Sequence, residues 1–536
     1  MMRRFVQTAL LFFTCLTSIG QDDFNYSLEL NPVVIDGLDG LQSYAYAQSE
    51  GRWLFVGGRR DGLHARQPFN AFPQSQNNTD LYVVDVNTLQ VWYASVTGLP
   101  VSIAEQLQST NMNYHQEADT LYLTGGYGYS PTADDHITYP HLTTVIVSGL
   151  INAIIDGNSI EPYFKQITDS FFQVTGGQLG KIGDEFVLVG GQKFTGRYNP
   201  MENPTYVQEY STRIKKFTVN NFGGDLSFAV TTEFTDPSHL RRRDYNLLPQ
   251  IFSDGTEGYM ISSGVFQEDL NLPFLYPVEI RSDGYTPVTE FNQYLSNYHC
   301  AHAGLYDSQS QQMHSLFFGG LSRYYYQNGL LQEDPLVPFV KTISRLSRWA
   351  DGSLHEYKMD IEMPEFRGTG AEFIPNRSLP HLFDDIMDLQ NIGEDSFVIG
   401  HIFGGIYSPA TNPFSSNQTA TTNAASMIYE VKLTRNSATE VHEINGVNPY
   451  KILVSPNPAK DFIECHFDLK KASTVVEYTL TTTAGSVVRR GSFENLSRGS
   501  NTQKIEIGNN ITSGNLMLTV SFDHRYFTTT RVVVVR

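Results

Sequence analysis

Six times along the chain a short apolar run ends in a Gly-Gly or Ser-Gly pair, and a polar, aromatic-rich loop follows. The six runs are WLFVGG at 53–58, LYLTGG at 121–126, FVLVGG at 186–191, YMISSG at 259–264, LFFGG at 316–320 and IFGG at 402–405. Runs this short, bounded by glycine and rich in β-branched and aromatic residues, predict buried strands. Each is preceded by a strand of small or polar residues. Each is followed, after its loop, by a third strand, a turn such as Asp85-Val86-Asn87, Ser282-Asp283-Gly284 or Asp351-Gly352, and a fourth strand. The repeating units span 41–98, 109–168, 170–236, 240–291, 297–360 and 366–444.

A four-stranded unit cannot bury both its faces alone, so serial copies must stack around a ring. The pattern therefore predicts an all-β, six-bladed β-propeller. The segment 24–36 also reads as a strand; it either closes the ring on the last blade or is the remnant of a seventh. The fifth unit carries His299-Cys300-Ala301-His302-Ala303-Gly304 before Gly319-Gly320, and the sixth carries Arg367-Gly368-Thr369-Gly370-Ala371 before Gly404-Gly405. On these residues 41–444 resembles the kelch-type propellers, although its units exceed the kelch length of about 50 residues. The resemblance speaks to architecture, since propellers host binding modules and enzymes alike. The extra length falls after the Gly-Gly pairs, at 59–79, 127–142, 192–206, 265–272, 321–336 and 406–424. Those loops leave one face of the ring, which is then the expected binding face.

After about residue 445 the pattern changes to strict alternation. Ile463, Cys465, Phe467 and Leu469 face one way, as do Val476, Tyr478 and Leu480, and Leu516, Leu518, Val520 and Phe522. Short alternating strands ending in Val532-Val533-Val534-Val535 predict a small, Ig-like β-sandwich. Ser455-Pro456-Asn457-Pro458-Ala459, the Thr483-Ala484-Gly485 turn with Val487-Val488, Gly514 and the terminal Arg536 resemble the type A sorting domain of the type IX (Por) secretion system. That resemblance implies a partner in the type IX machinery, passage across the outer membrane, and removal of the module with release or attachment at the cell surface.

Composition narrows the function. Aromatics make up 12% and charged residues 17% of 536 residues, with 43 glycines, which suits an all-β fold. A formal net charge of −19 opposes nucleic acid and anionic membranes. Arg3-Arg4, the apolar stretch from Ala9 and Ser18-Ile19-Gly20 form a signal peptide at 1–20, cut before Gln21. No later stretch has the length and apolarity of a transmembrane segment. The three expected segments are thus 1–20 signal peptide, 21–444 propeller and 445–536 sorting domain, in a protein outside the cell or on its surface. Cys300 and Cys465 fall in different domains and read as small buried hydrophobes.

Chemistry is expected where the first strands line the channel: Tyr44, Asn111, Asn113, Gln173, Arg242, Arg243, Asp244, Tyr245, His299 and Arg367. Arginine offers a fork to a carboxylate, and Asp244 or His299 can exchange protons. The alternative is that these groups satisfy one another and the backbone. A second layer comes from the loops: Arg59, Arg60, Asp61, His64, Tyr127, Tyr129, Lys193, Arg197, Arg323, Tyr324, Tyr325 and Tyr326. Tyrosine supplies rigid amphipathic area for sugar or protein. Asp134-Asp135-His136 with His141 matches no demanding ligand spacing, so no metal and no cofactor is expected. The sequence holds no nucleophile elbow, His-Glu-x-x-His or phosphate loop. Three readings follow: a propeller that binds an extracellular glycan or protein through its loop face, a carbohydrate enzyme (epimerase, mutarotase or lyase) with its site at the channel mouth, or a structural adhesin with no small-molecule site.

Overall fold

The computed structural model describes residues 24–199, 201, 204–221, 224–327, 330–436, 450–471, 474–483, 487–508, 511, 513–522 and 526–536. The signal peptide, the boundary near 444 and Ala484-Gly485 lie outside them. The fold is all-β and propeller-like. Among the described residues six units each hold a run of four antiparallel strands, in chain order from first to fourth in all but the last. Sheet one is Ala45–Ser49, Arg52–Val56, Asp80–Asp85 and Gln90–Ser95. Sheet two starts at Thr110–Glu117, sheet three at Gln178–Ile182, sheet four at Asn246–Ile251 and sheet five at Ala301–Asp307. Sheet six is Ala371–Pro375, Ser396–Gly404 and Ile428–Arg435, and its outermost strand is the N-terminal Tyr26–Val33, running antiparallel to Ile428–Arg435. The segment at 24–36 thus serves the last sheet rather than one of its own.

Backbone hydrogen bonds link the sheets in a closed circuit. Asn111 N–H donates to Ser43 O, Gly176 to Asn111, Asp244 to Gly176, His299 to Asp244, Gly370 to His299 and Ser43 to Gly370, at 2.9–3.3 Å. Five of these residues precede their first strands and Asn111 lies at the start of its own, and the circuit surrounds the axis. Ser43, Asn111, Gly176, Asp244 and Gly370 all have positive φ, which bends the chain as it turns into the strand.

The Gly-Gly pairs have a physical reason in the same geometry. The second residue of each pair donates its N–H across to the next sheet: Gly58 to Ser109 O, Gly126 to Val174 O, Gly191 to Arg242 O, Gly264 to Asn297 O, Gly320 to Arg367 O and Gly405 to Leu41 O. A Cβ on Gly125 would lie 1.8 Å from Val174 O, so nothing larger fits that crossing. The cores lie between sheets, as in Leu54, Val56, Leu121, Leu123 and Val145 between sheets one and two.

Among the described residues two α-helices interrupt the β pattern, α1 (Val101–Leu107) and α2 (Val147–Asp156). The apolar residues of α2 at 147, 150, 151 and 154 recur at the helical i, i+3, i+4, i+7 spacing, a signal that the strand reading passed over. It buries Val147, Leu150, Ile151, Ala153 and Ile154 and ends on Gly157 in the left-handed region.

The C-terminal module has a sheet of three strands and a sheet of four around one core that includes Ile463, Phe467, Leu480, Leu518 and Val532. Asn457 of the Ser-Pro-Asn-Pro-Ala segment explains that motif. Its side-chain amide donates to Arg531 O, and its Oδ1 accepts from Val533 N–H. Ala459 N–H donates to Val533 O, so the start of the module is fastened to its last strand.

Candidate functional site

The long loops are largely ordered into sheet and do not collapse onto the axis. Strand Thr120–Ser130 continues through Gly125-Gly126, pairs with Asp135–Thr138, and through it joins Gln192–Gly196 and Tyr206–Tyr210. This extension stands as a wall bearing Tyr127, Phe194, Tyr206 and Tyr210. Opposite it stand Pro335-Leu336-Val337 and 411–415, and between them is a cavity of about 620 Å³. Its floor is one residue from each unit, the one before the hydrogen-bonded circuit: Gln42, Thr110, Thr175, Arg243, Tyr298 and Thr369. Below the circuit the channel narrows between Tyr44, Asn111, Asp244, His299 and Glu372. It opens again at the far end into a cavity of about 130 Å³.

Arg243 is the charged group of the floor. It is 9% exposed, and its Nε takes no hydrogen bond. The nearest acid, Asp244, is 3.8 Å from that nitrogen. Tyr198 and Phe266 flank the guanidinium, with ring centres 5.8 and 5.3 Å from its carbon. Burial alone would lower its pKa, but Asp244 and the phenols of Tyr198, Tyr210 and Tyr298 outweigh it and the pKa is raised. The group is therefore a fixed cation. A buried polar group without its hydrogen bonds costs about 1–3 kcal/mol, and more when charged.

The other cations nearby are occupied. Arg59 grips Asp61 with two bonds of 2.8 and 2.6 Å and reaches Asn77 at 2.8 Å. Arg241 donates to Phe266 O and lies over Tyr210. His64 faces the cavity among the rings of Phe72, Tyr198 and Phe414. Its pKa is lowered to about 4, first by burial and then by Arg243, so it is neutral at ordinary pH.

Of the residues singled out in the sequence, Arg59, His64, Asn111, Tyr127, Arg243 and Asp244 line this cavity, and Tyr44, Asn111, Asp244 and His299 line the neck below it. Tyr127 is braced, donating to Gly196 O and accepting from Tyr198 N–H. Tyr44 donates to Phe403 O. His299 Nε2 is 3.2 Å from Glu372 Oε1. Burial lowers the His299 pKa, while Glu372 and then Asp244 raise it, and the net shift is upward.

The remaining candidates are engaged elsewhere. Asn113 bonds Thr124 O and Val174 O, and Gln173 bonds Thr138 O. Arg367 is 1% exposed, paired with Glu365 at 2.7 Å and bonded to Met427 O. Arg60 pairs with Asp80 at 2.9 Å, Arg323 with Glu333 at 2.6 Å, and Tyr324 packs on Tyr294. In the loop at 134–141, His136 Nε2 bonds Phe72 O and His141 bonds Thr168. Among the described residues no group of three or more His, Cys, Asp or Glu is placed to hold a metal. Cys300 and Cys465 are buried and free, and burial pushes both thiols up to about 12.

Sequence reasoning missed Glu372, Tyr198, Tyr206, Tyr210, Phe266 and Tyr298. Tyr298 and Glu372 each adjoin a recognisable position, His299 and Ala371, and carried a usable signal. The tyrosines of 198–210 stand in a loop whose strands no glycine pair announces.

Residues 453–535 match the family described as Secretion system C-terminal sorting domain. That tail directs export by type IX secretion, so the protein is sent to the cell surface or the extracellular space and meets the secretion machinery on the way. Among the described residues no helix is long and apolar enough to cross a membrane. No curated protein matches the chain. The solved structure titled "Structure of YjhT" is similar over 70% of this chain and 95% of its own, at 10% sequence identity and a TM-score of 0.40.

Proposed function

We propose that the mature protein is a six-bladed, kelch-like propeller at 21–444 that binds a glycan carrying an acidic group in its loop-face cavity. A signal peptide at 1–20 and an Ig-like sorting domain at 445–536 serve its export. The observation that carries the reading is Arg243, a buried guanidinium with no hydrogen bond to its Nε, on the floor of a cavity walled by tyrosine and phenylalanine. Such walls suit the faces of a sugar, and a guanidinium fork suits a carboxylate. A concave site of this size favours a small ligand over a flat protein surface. The test is a glycan-array screen followed by calorimetry on the full chain. Arg243→Ala is expected to lose at least about 100-fold in affinity, equivalent to about 2.7 kcal/mol. Unchanged affinity in that variant would reject the cavity as the site.

A second reading, a carbohydrate epimerase, mutarotase or lyase, is favoured by one observation. Asp244 lines both the cavity and the neck, where His299 and Glu372 form an acid–base pair. Turnover of an array hit that disappears in Asp244→Asn, with binding kept, would establish it.

A further inference from the structure

Strand Gly514–Phe522 of the sorting module is buried on both faces. Leu516, Leu518, Val520 and Phe522 enter the module's own core, yet Met517, Thr519 and Ser521, which alternate with them, are buried too. Thr481 on the neighbouring strand is 0% exposed. Residues of the propeller cover this outward face. The Tyr294 hydroxyl is 2.7 Å from Thr519 Oγ1, and the Asn292 amide donates to Thr481 Oγ1 at 3.4 Å. Tyr326, on the hairpin Tyr324–Gln327 with Leu330–Glu333, meets Phe527 edge-on at 5.9 Å.

The propeller side of this contact is held firmly. Residues 292–296, between sheets four and five, are buried, and Glu356 accepts from the N–H groups of Tyr294 and Leu295 at 2.8 and 3.0 Å. Tyr294 stacks edge-on against Tyr324 at 4.8 Å, joining the segment to the hairpin. The same segment continues into Tyr298 on the cavity floor, and the hairpin is flanked by Leu321 and 335–337, which line the cavity wall.

We propose that 292–296 and the paired strands Tyr324–Gln327 and Leu330–Glu333 form a docking surface for the chain's own sorting module. The module is then seated beside the ligand cavity until it is removed, and does not swing on a free tether. The chemistry suits a temporary partner. Two hydrogen bonds between hydroxyl and amide groups stand beside the ring pair and buried Met517, and water can replace those bonds when the module leaves.

Small-angle scattering with hydroxyl-radical footprinting on the full chain tests the docking. The native protein is expected to scatter as one compact particle, with Tyr294 and Tyr326 protected. Thr519→Arg places a long cation on the outward face. It is expected to raise labelling of both tyrosines at least about fivefold and to lengthen the particle. If Thr519→Arg unfolds the module, Phe527→Ser on the last strand gives the same readout. Native scattering that requires a mobile module, or tyrosine labelling that neither folded variant changes, would overturn the proposal. Ligand affinity need not change in either variant, so the outcome is separate from that of the cavity reading.

Discussion

The two ends of the propeller axis use the same residue types to opposite effect. At the far end the charged groups that line the cavity of about 130 Å³ lie against partners, although Glu372 Oε1, 3.2 Å from His299 Nε2, accepts no hydrogen bond. Arg377 grips Asp385 with two bonds of 2.9 and 2.8 Å and reaches Gln116 at 2.7 Å. His115 lies 3.7 Å from Asp384, which accepts from Tyr259. At the loop end, the cavity of about 620 Å³ has Arg243 on its floor with its Nε unbonded. Ionisable groups around a channel therefore do not mark a site by their presence. A buried Nε without a hydrogen bond recurs at Arg348 and Arg367, so at Arg243 it points to a ligand because that group lies on the floor of the wide cavity.

The largest test of this contrast sets the two arginines against each other. Arg377→Ala strips a paired guanidinium from the far end and leaves Asp385 uncompensated. It is expected to cost about 2–3 kcal/mol of stability, read by urea unfolding, and to leave glycan affinity within about twofold. Arg243→Ala is expected to do the reverse, abolishing binding while its midpoint in urea stays level or rises. Equal losses of stability in both variants would erase the distinction between the ends.

The next effect concerns the walls. Tyr198 lies between His64 and Phe194 and beside Arg243. Tyr198→Ala is expected to weaken glycan binding about tenfold by removing a stacking face, whereas Tyr259→Phe at the far end, which loses the hydroxyl's bonds to Asp384 and to the Lys181 backbone, is expected to leave binding intact. Calorimetry on the full chain measures both.

These residues also show how far the sequence reaches. Six glycine-terminated runs reveal the repeat because the second residue of every pair has positive φ at a crowded crossing between sheets and is glycine at each copy, while the first position admits Ser263 in the fourth. The N-terminal strand was legible as a strand, but its pairing with Ile428–Arg435 depends on closure over hundreds of residues and left both ring sizes open. The site was legible only to within a few positions. Asp244 and His299 belong to the hydrogen-bonded circuit, while Tyr44 lies one residue beyond its circuit member and Arg367 three residues before Gly370. The chain reaches each first strand through an irregular turn with positive φ, where no period fixes which side chain faces the axis. The wall tyrosines escaped for a different reason, because their strands pair with neighbouring loops, although Asn199-Pro200 and Asn203-Pro204 signal a turn between them.

The smallest effect probes the neck between the two ends. The His299 imidazole is buried, which lowers its pKa, and Glu372 and Asp244 raise it beyond that. A raised folded-state pKa stabilises the protein fully below the unfolded value near 6.5, and that contribution is lost as pH rises through the folded value. Glu372→Gln removes the larger of the two raising charges. Its His299 ring signals are expected to titrate at lower pH in an NMR series, and stability above pH 6.5 is expected to fall less steeply with pH than in the native chain. Ligand affinity at the loop end is expected to hold, because Glu372 lines the neck and far cavity and not the wide one. An affinity that shifts with the His299 titration would couple the two ends through Asp244, and the comparison would give way to the enzyme reading.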